Sequence, residues 1–590
     1  MILTIAVIAI LALLVLLIVL LINAVRLKPA PVHNPLPDVS EQLADEKCVD
    51  RFREILKIRT VWNENDSGSD NKAFDDFLPK LRSLYPDVFN TLELKLINTY
   101  GIMLVWRGAN NNGPNNSSVN NSAITTNAAN NNSANSGAVS NTNVSNAANN
   151  TNKSLAPVVL MAHHDVVDAD PASWEHDPFA ATVVDGRIYA RGAVDTKCIL
   201  AAQLEAVSIL LKEGFVPPRD IYICSSNCEE VLGDTAEQMV DYFRQQGITP
   251  ALALDEGGAV IDDAPLGVKS LFAAIGVCEK GLIRASVTVK GMGGHAANPS
   301  LSDSTSMLVM GLNKLLKHPA ASKLSAPVEA MLVELAAHGS FGLRLIFGNL
   351  WLFRPLVLYI MRKNPETAAM VRSTYALTQL QGSTAANVIP RRASASVNIR
   401  VDPNENVNVA LNRLKWCFGD SSSKNANSEA SGGSAKNGND FGNDSNSTCD
   451  ENDRGENDNS NTNSDNNHFY VEKNSASFSQ SNFKGVSYEL DEAIDPSPIS
   501  RYDDETFGYL RKVIHSVYPT AGIAPYVQSS ASDARFFARI CPHTYRFAGF
   551  LFHGDQRSSI HAPNENLDVQ SYLRGVVFYT EFIRNLGLLK

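Results

Sequence analysis

Apolar residues fall along the chain in three textures, and each predicts a different element. Ile2 to Ile22 is a charge-free apolar run of about 21 residues, matching the roughly 20 that cross a bilayer as a helix. A cleaved signal peptide is the competing reading, but its apolar stretch is usually about 7 to 15 residues behind a basic start. This run is longer and no Lys or Arg precedes it, so residues 1–25 are expected to be a retained, single-pass membrane anchor. Arg26 and Lys28 follow the span. By the positive-inside rule they point the remainder toward the cytoplasm, although two charges are too few to fix the side.

Beyond the anchor the pattern alternates. Pro157 to Ala162 (PVVLMA) is a short, continuously apolar run, after which Ile199, Leu200, Leu204, Val207 and Leu211 recur at helical spacing until Gly214. Asp220 to Ser225 (DIYICS) and Ala251 to Leu254 (ALAL) read as further strands, with a helical stretch from Ala236 to Gln246 between them. Strands alternating with helices predict an α/β domain with a mostly parallel sheet covered on both faces.

From Gly281 the texture becomes half-polar. Ile283 to Lys290 and Ala393 to Val401 alternate with period two, Asp303 to Lys317 and Val407 to Phe418 read as amphipathic helices, and Val486 to Leu490 adds a strand. These predict a smaller antiparallel sheet with helices on one face, an inserted α+β (ferredoxin-like) lid. Phe341 to Met361 is apolar enough to resemble a second span, but Arg344, Arg354 and Pro355 interrupt it. A buried or lobe-packing helix pair is expected there.

Two stretches, 109–154 and 420–482, are built largely of Asn, Ser, Ala, Thr, Asp and Gly. They carry too little apolar surface to offset chain entropy and are expected to be disordered inserts. Sequons such as that at Asn143 arise in such tracts from composition alone. The expected organisation is an anchor over 1–25, a catalytic domain in two parts over 45–280 and 496–590, and a lid over 281–495.

Charge and cysteine content narrow the function. A net charge of -11 argues against nucleic acid as a partner, because phosphates would be repelled. Eight cysteines in 590 residues, none in a CxxC pair, argue against a disulfide scaffold and a cysteine zinc site. Cys224 and Cys228 read as small buried residues.

The chemistry lies where acidic and histidine residues follow strands. His163 and Asp165 follow PVVLMA, Glu229 and Glu230 follow DIYICS, and Asp255 follows ALAL. In open α/β sheets ligands bind beyond the carboxyl ends of the strands, so these side chains are placed to converge, and Asp195, just before a long helix, reaches the same crevice. Each residue alone is an ordinary surface or core residue; the coincidence at equivalent strand ends carries the reading.

The strings MAHHDVVDAD, ARGAVDTKC, NCEEVLGD, ALDEGG, GMGGHAANPS, TAANVIP and IHAPNENL occur in the order found in the di-zinc family of acetylornithine deacetylase, succinyl-diaminopimelate desuccinylase, aminoacylase and carboxypeptidases. The chain most resembles the carboxypeptidase S type, from about Val49 to the C-terminus outside the two inserts. The resemblance implies two Zn2+ per chain held by His163, Asp195 as bridge, Glu230, Asp255 and His561. It makes Glu229 the general base and Asp165 the partner that fixes the imidazole of His163, although an Asx-turn cap is the bland reading of Asp165. His295, Asn387 and Arg400 would handle substrate, with Arg400 suited to a carboxylate; a turn before Pro390 and a solvated strand residue are the bland readings of the latter two.

The implied reaction is hydrolysis, by a metal-activated water, of an amide beside a free carboxylate, in a small peptide or in an N-acyl amino acid. A catalytically dead, membrane-displayed binding protein on the same fold is the rival from another class; the presence of Glu229 with all five expected ligands argues against it. A homodimer through the lid stays open. Cys228, Ala190 and Cys198 stand where the family pattern usually has Asp, Gly and Gly, which bears on substrate preference and site geometry.

Overall fold

In a computed structural model of the chain, residues 1–62, 71–109, 155–419 and 485–590 are described, so the expected inserts and the sequon at Asn143 lie outside the described residues. The N-terminal apolar run forms one helix, α1 (Ile2–Arg26), exposed along almost its whole length. At about 1.5 Å per residue its 25 residues are long enough to span a bilayer.

The larger sheet begins with β1 (Glu93–Ile97), β2 (Gly101–Trp106) and β3 (Val158–His163). Helix α2 (Lys197–Lys212), β4 (Ile221–Ser226), helix α3 (Thr235–Gln245), β5 (Leu252–Asp255), β6 (Val260–Ile261) and β7 (Phe272–Glu279) follow. Every residue of β3, β4 and β5 is buried, which is why these strands read as unbroken apolar runs rather than as alternation.

The chain then leaves for the lid. Its strands are β8 (Gly281–Lys290), β9 (Thr374–Gln381), β10 (Arg392–Val401) and β11 (Val486–Ile494), paired antiparallel in the order β9-β10-β8-β11. Helices α4 (Ser304–Lys317) and, further on, Val407–Cys417 cover one face and bury Leu308, Leu312, Leu315, Ala410 and Leu414 against it. This βαββαβ order is the ferredoxin-like arrangement expected from the half-polar strands. Asp303 caps α4, its carboxylate accepting the Ser306 N–H at 2.8 Å.

Between α4 and β9 the chain forms α5 (Ala326–Ala337), which returns to the larger sheet, then α6 (Phe341–Phe347), α7 (Leu350–Met361) and the short helix Pro365–Ala369. Helices α6 and α7 bend by 106° where they meet. The expectation of a buried pair holds for one side only. Phe347, Leu350, Val357 and Met361 are buried with α5, while Trp351, Leu352, Leu356, Tyr359 and Ile360 are exposed.

The C-terminal part closes the larger sheet with β12 (Gly522–Gln528), β13 (Thr544–Arg546) and β14 (Leu551–Phe552), and the final helix Val569–Arg584 packs on α2. The order is β1-β2-β4-β3-β5-β13-β7-β6-β14, with β12 pairing β7. Strands β4, β3, β5 and β13 are parallel neighbours, whereas β2 and β7 meet this block antiparallel. The sheet is therefore mixed and parallel through its centre. Helix α5 packs against β12, so the helices inserted in the lid's sequence are fastened to the other domain.

Candidate metal centre

Three parallel strands deliver the site. β3 ends at His163, β4 leads into Glu229 and Glu230, and β5 leads into Glu256. Asp195 comes from the loop ahead of α2, and the Asp195–Thr196 peptide is cis. His561 comes from the C-terminal segment in a left-handed backbone conformation, φ 60°, that a non-glycine residue adopts only when its surroundings hold it.

The side chains meet around Asp195. Its Oδ1 lies 2.9 Å from His163 Nε2, and its Oδ2 lies 3.0 Å from His561 Nε2. Glu256 Oε1 is 3.5 Å from His163 Nε2, and Glu230 Oε2 is 3.0 Å from His561 Nε2. One carboxylate thus stands between two imidazoles, each with a further carboxylate of its own. Donors around a tetrahedral zinc with bonds of ~2.0–2.1 Å stand roughly 3.3 Å apart, so these spacings suit metal coordination.

Protonation and burial point the same way. The Nδ1–H of His163 donates to the main-chain carbonyl of Asp165 at 2.9 Å, which fixes the ring so that Nε2 faces Asp195 and Glu256. Burial raises Glu229 and Glu256 well above the usual carboxylate range, and for Glu256 the nearby charge of Asp195 adds to this. Hydrogen bonds to Asp195 and Glu230 draw the His561 imidazole up to about 10. Among the described residues, Glu230 Oε1 is buried without a hydrogen-bond partner. A pocket this rich in carboxylate, with one oxygen left unpaired, is built for cations. The donor set of two imidazoles with Asp195, Glu230 and Glu256 fits two zinc ions: three carboxylates and one hydroxide balance four positive charges.

The expected ligands are not all gathered. His163, Asp195, Glu230 and His561 come together, but Asp255 does not join them. Asp255 ends β5 pointing away, its Oδ2 accepting the Ala534 N–H at 2.7 Å, and burial, with Asp533 next, pushes it up to about 7. The atoms of His163, Glu229 and Glu256, and those of His163, Asp195 and Glu230, each lie within 4.8 Å of one another, and neither group includes Asp255. Side chains alternate along a strand, so the residue after Asp255 faces the crevice.

Asp165 differs in detail from its expected role. Its carboxylate is 3.4 Å from the His163 ring, farther than its own carbonyl, and it accepts the main-chain N–H groups of Glu229 (3.2 Å) and Glu230 (3.0 Å). It thereby anchors the acidic pair. Glu229 is almost wholly buried, with Arg535 Nη1 4.0 Å from its Oε1.

Glu565 is a residue that sequence reasoning missed. Fully buried, it accepts from Arg191 Nη1 (2.6 Å) and from the main-chain N–H groups of Gly192 (3.2 Å), Val194 (2.7 Å) and Asp195 (3.1 Å). It ties the loop carrying Asp195 to the segment carrying His561. It lies within the string IHAPNENL, but its partners are some 370 residues away.

The substrate candidates sit on the lid. His295 lies on a two-residue strand opposite Val388, exposed, its Nδ1 accepting the Ala297 N–H at 3.0 Å, and Asn387 is beside it, its carbonyl accepting from Ala296. Arg400 is elsewhere. It pairs with Leu282 beside the start of β8, whereas His295 follows the far end of β8, where Lys290 pairs with Arg392. Eight residues of β10 separate those ends, roughly 26 Å at ~3.3 Å per residue. The structure therefore joins His295 with Asn387 and sets Arg400 apart. Two of the three substituted positions make local contacts: Cys228 Sγ lies 3.1 Å from Thr235 Oγ1, and Cys198 donates to the Val194 carbonyl. Seven cysteines are free and buried among the described residues.

A mixed α/β sheet that gathers imidazoles and carboxylates at its strand ends, with an inserted ferredoxin-like lid, defines a metal-dependent hydrolase. The profile of Peptidase family M20/M25/M40 matches residues 159–585, and the chain belongs to this family. It is 26% identical over 547 residues to the N-fatty-acyl-amino acid synthase/hydrolase PM20D1.1 of Danio rerio, covering 92% of this chain and 86% of that protein. It is 24% identical to the probable carboxypeptidase S-like 2 of Dictyostelium discoideum, covering 92% and 86%. An M20 family metallo-carboxypeptidase of Sulfolobus solfataricus, Sso-CP2, shares the fold at a TM-score of 0.54 and 15% identity, covering 91% of this chain and 98% of that one. The expected reaction, hydrolysis of an amide or peptide bond beside a free carboxylate, agrees with this family and with both kinds of relative.

Proposed function

We propose that this chain is a membrane-anchored hydrolase that uses two zinc ions to release an amino acid with a free carboxylate from its acyl or peptidyl partner. His163, Asp195 and Glu256 would hold one ion, and His561, Asp195 and Glu230 the other, so Glu256 takes the place expected for Asp255. The observation that carries this reading is the Asp195 carboxylate, with one oxygen facing each imidazole. When bound, the metals supply acidity to a coordinated water and polarise the substrate carbonyl.

The chain's own residues do the rest. Glu229, buried and in the same group of donor atoms as His163 and Glu256, takes the proton from the attacking water and passes it to the departing amine. Its raised affinity for protons suits that exchange. Asp165 keeps Glu229 and Glu230 on a fixed main-chain segment, so one faces water while the other faces metal. Lid closure would carry His295 toward the developing oxyanion and exclude solvent, while Arg400, at the other end of β8, lies too far from His295 to share one small substrate with it.

Both acyl classes fit the relatives: the names of the two curated ones point to N-fatty-acyl amino acids and to peptides. Helix α1 supports the anchor, and the strongly exposed Met292, Leu301 and Val388 near His295 support a dimer contact through the lid. The test is to purify the full chain in detergent, measure its zinc, and assay a panel of dipeptides and long-chain N-acyl amino acids beside Glu229→Gln. The reading expects about two zinc ions, turnover by the wild type, and a variant that keeps metal but loses turnover. A zinc-free wild type, or an active Glu229→Gln, overturns it.

A further inference from the structure

Helices α6 and α7 leave an apolar face uncovered beside the membrane anchor. Trp351, Leu352, Leu356, Tyr359 and Ile360 are 39 to 61% exposed. They are spaced four residues apart in two neighbouring rows, 352-356-360 and 351-355-359, with Pro355 completing the second, so they form a single stripe along α7. A contiguous apolar stripe of this kind marks a binding surface.

The stripe is fixed to the foot of α1. Asn349, fully buried at the corner between α6 and α7, donates from Nδ2 to the Leu20 carbonyl at 3.0 Å, and Asn23 Nδ2 donates to Asn349 Oδ1 at 2.8 Å. A Cβ on Gly348 would lie 2.6 Å from the Arg344 carbonyl and 3.3 Å from that of Asn23, so glycine lets the two backbones approach. Ile2 to Ile22 spans ~31 Å at ~1.5 Å per residue, close to the ~30 Å hydrocarbon thickness, which puts Asn23 at the membrane–water boundary. The corner of α6 and α7 therefore lies at that same boundary.

The chemistry of the stripe suits that depth. Trp351 and Tyr359 are the residue types that settle at lipid headgroups, and exposed Arg362 and Lys363 follow α7 as Arg26 and Lys28 follow the apolar run of α1. Lys363 Nζ lies over the Tyr359 ring, 4.5 Å from its centroid.

We infer that α7 is a second membrane-contacting element, lying in the bilayer interface with its Trp351–Ile360 stripe among the lipids and holding the catalytic domain against the membrane. The inference rests on the reading of α1 as an anchor. Through α5 the stripe is packed on β12, the strand that pairs with β7 of the catalytic sheet, so it orients the whole domain as well as tethering it.

The test uses the full-length chain reconstituted in phosphatidylcholine vesicles, with a fraction of the lipid brominated on its acyl chains. Tryptophan emission is compared between wild type and Trp351→Phe, and membrane integration is measured separately by alkaline extraction. The inference expects bromine quenching of a wild-type component that vanishes in Trp351→Phe and returns when Leu356→Trp is added. Equal quenching in both proteins, or none, overturns it. A chain that resists extraction but shows no Trp351 quenching leaves the anchor standing and removes the inference. A chain that is extracted yet shows Trp351 quenching when added to vesicles removes the anchor and keeps the inference. Absent quenching together with self-association that Trp351→Glu abolishes assigns the stripe to a second copy of the chain and overturns the inference.

Discussion

Replacing Glu565 by Gln would remove the brace between the two halves of the metal centre. The buried carboxylate uses both oxygens: Oε1 accepts from Val194 and Asp195, and Oε2 from Arg191 and Gly192. Gln keeps the shape but offers a single oxygen, so its NH2 must face two of those donors. Whichever way the amide turns, two buried N–H groups lose their acceptor and the Arg191 guanidinium, itself 3% exposed, loses its counter-charge. Breaking a buried ion pair on one side costs about 3–5 kcal/mol. Because Asp195 donates its own main-chain N–H to Glu565, part of that cost displaces the bridging carboxylate. Disturbing such supporting contacts typically lowers metal affinity about 10–100-fold. The assay is zinc retention against graded chelator, with thermal unfolding in parallel. Glu565→Gln is expected to lose zinc at a chelator concentration at least tenfold below wild type. In a double-mutant cycle, Arg191→Met is expected to recover part of the stability. Wild-type zinc retention, or strictly additive effects of the two substitutions, refutes the brace.

Four further outcomes are expected. Glu256→Gln should lower zinc content by about one ion per chain, whereas Asp255→Asn should retain both; elemental analysis decides, and the reverse pattern restores Asp255 as ligand. His295→Ala should cut kcat by about 10²–10³, the usual cost of an oxyanion donor, with steady-state kinetics as the readout. Burial depresses Lys280, at the junction of β7 and β8, from its ordinary 10.5 to about 8. The unfolded chain then binds the extra proton between these values, so stability rises with pH across roughly pH 8 to 10.5, by about 3 kcal/mol; Lys280→Met should flatten that slope in denaturant titrations. Gly348→Val should detach α1 from the α6–α7 corner, seen as faster proteolysis after Arg26.

The catalytic crevice was legible because its strands are buried on both faces. Runs such as PVVLMA announce their ends, and residues just past such ends must point into the crevice. The same reasoning placed Asp255 in the crevice, where the structure puts Glu256 instead. The run ALAL was read as ending at Leu254, but β5 continues through Asp255, which pairs with Arg546 of β13. Neighbouring side chains on a strand point to opposite faces, and the run ALAL does not say which of Asp255 and Glu256 turns inward: Asp255 turns to the Ala534 N–H, while Glu256 groups with His163 and Glu229. Glu565 was hidden for another reason, since its partners come from a loop brought near only by tertiary folding.

Lid residues show a third limit. His295 and Asn387 sit in quoted strings and Arg400 in an alternating strand, yet their distribution over opposite ends of β8 depends on strand register, which no local pattern states. The α6–α7 stretch was expected to be a buried or lobe-packing pair, because Arg344, Arg354 and Pro355 interrupt it, and one side of it is buried with α5. Its uncovered stripe emerges only once the 106° bend shows which side chains α5 leaves bare.

The most direct test of the metal centre is a crystal structure of the zinc-loaded protein with anomalous data collected on both sides of the zinc absorption edge. Two peaks about 3.5–4 Å apart, one among His163, Asp195 and Glu256 and the other among His561, Asp195 and Glu230, are the predicted result. A single peak, peaks away from Asp195, or Asp255 in place of Glu256 as a ligand would contradict the assignment.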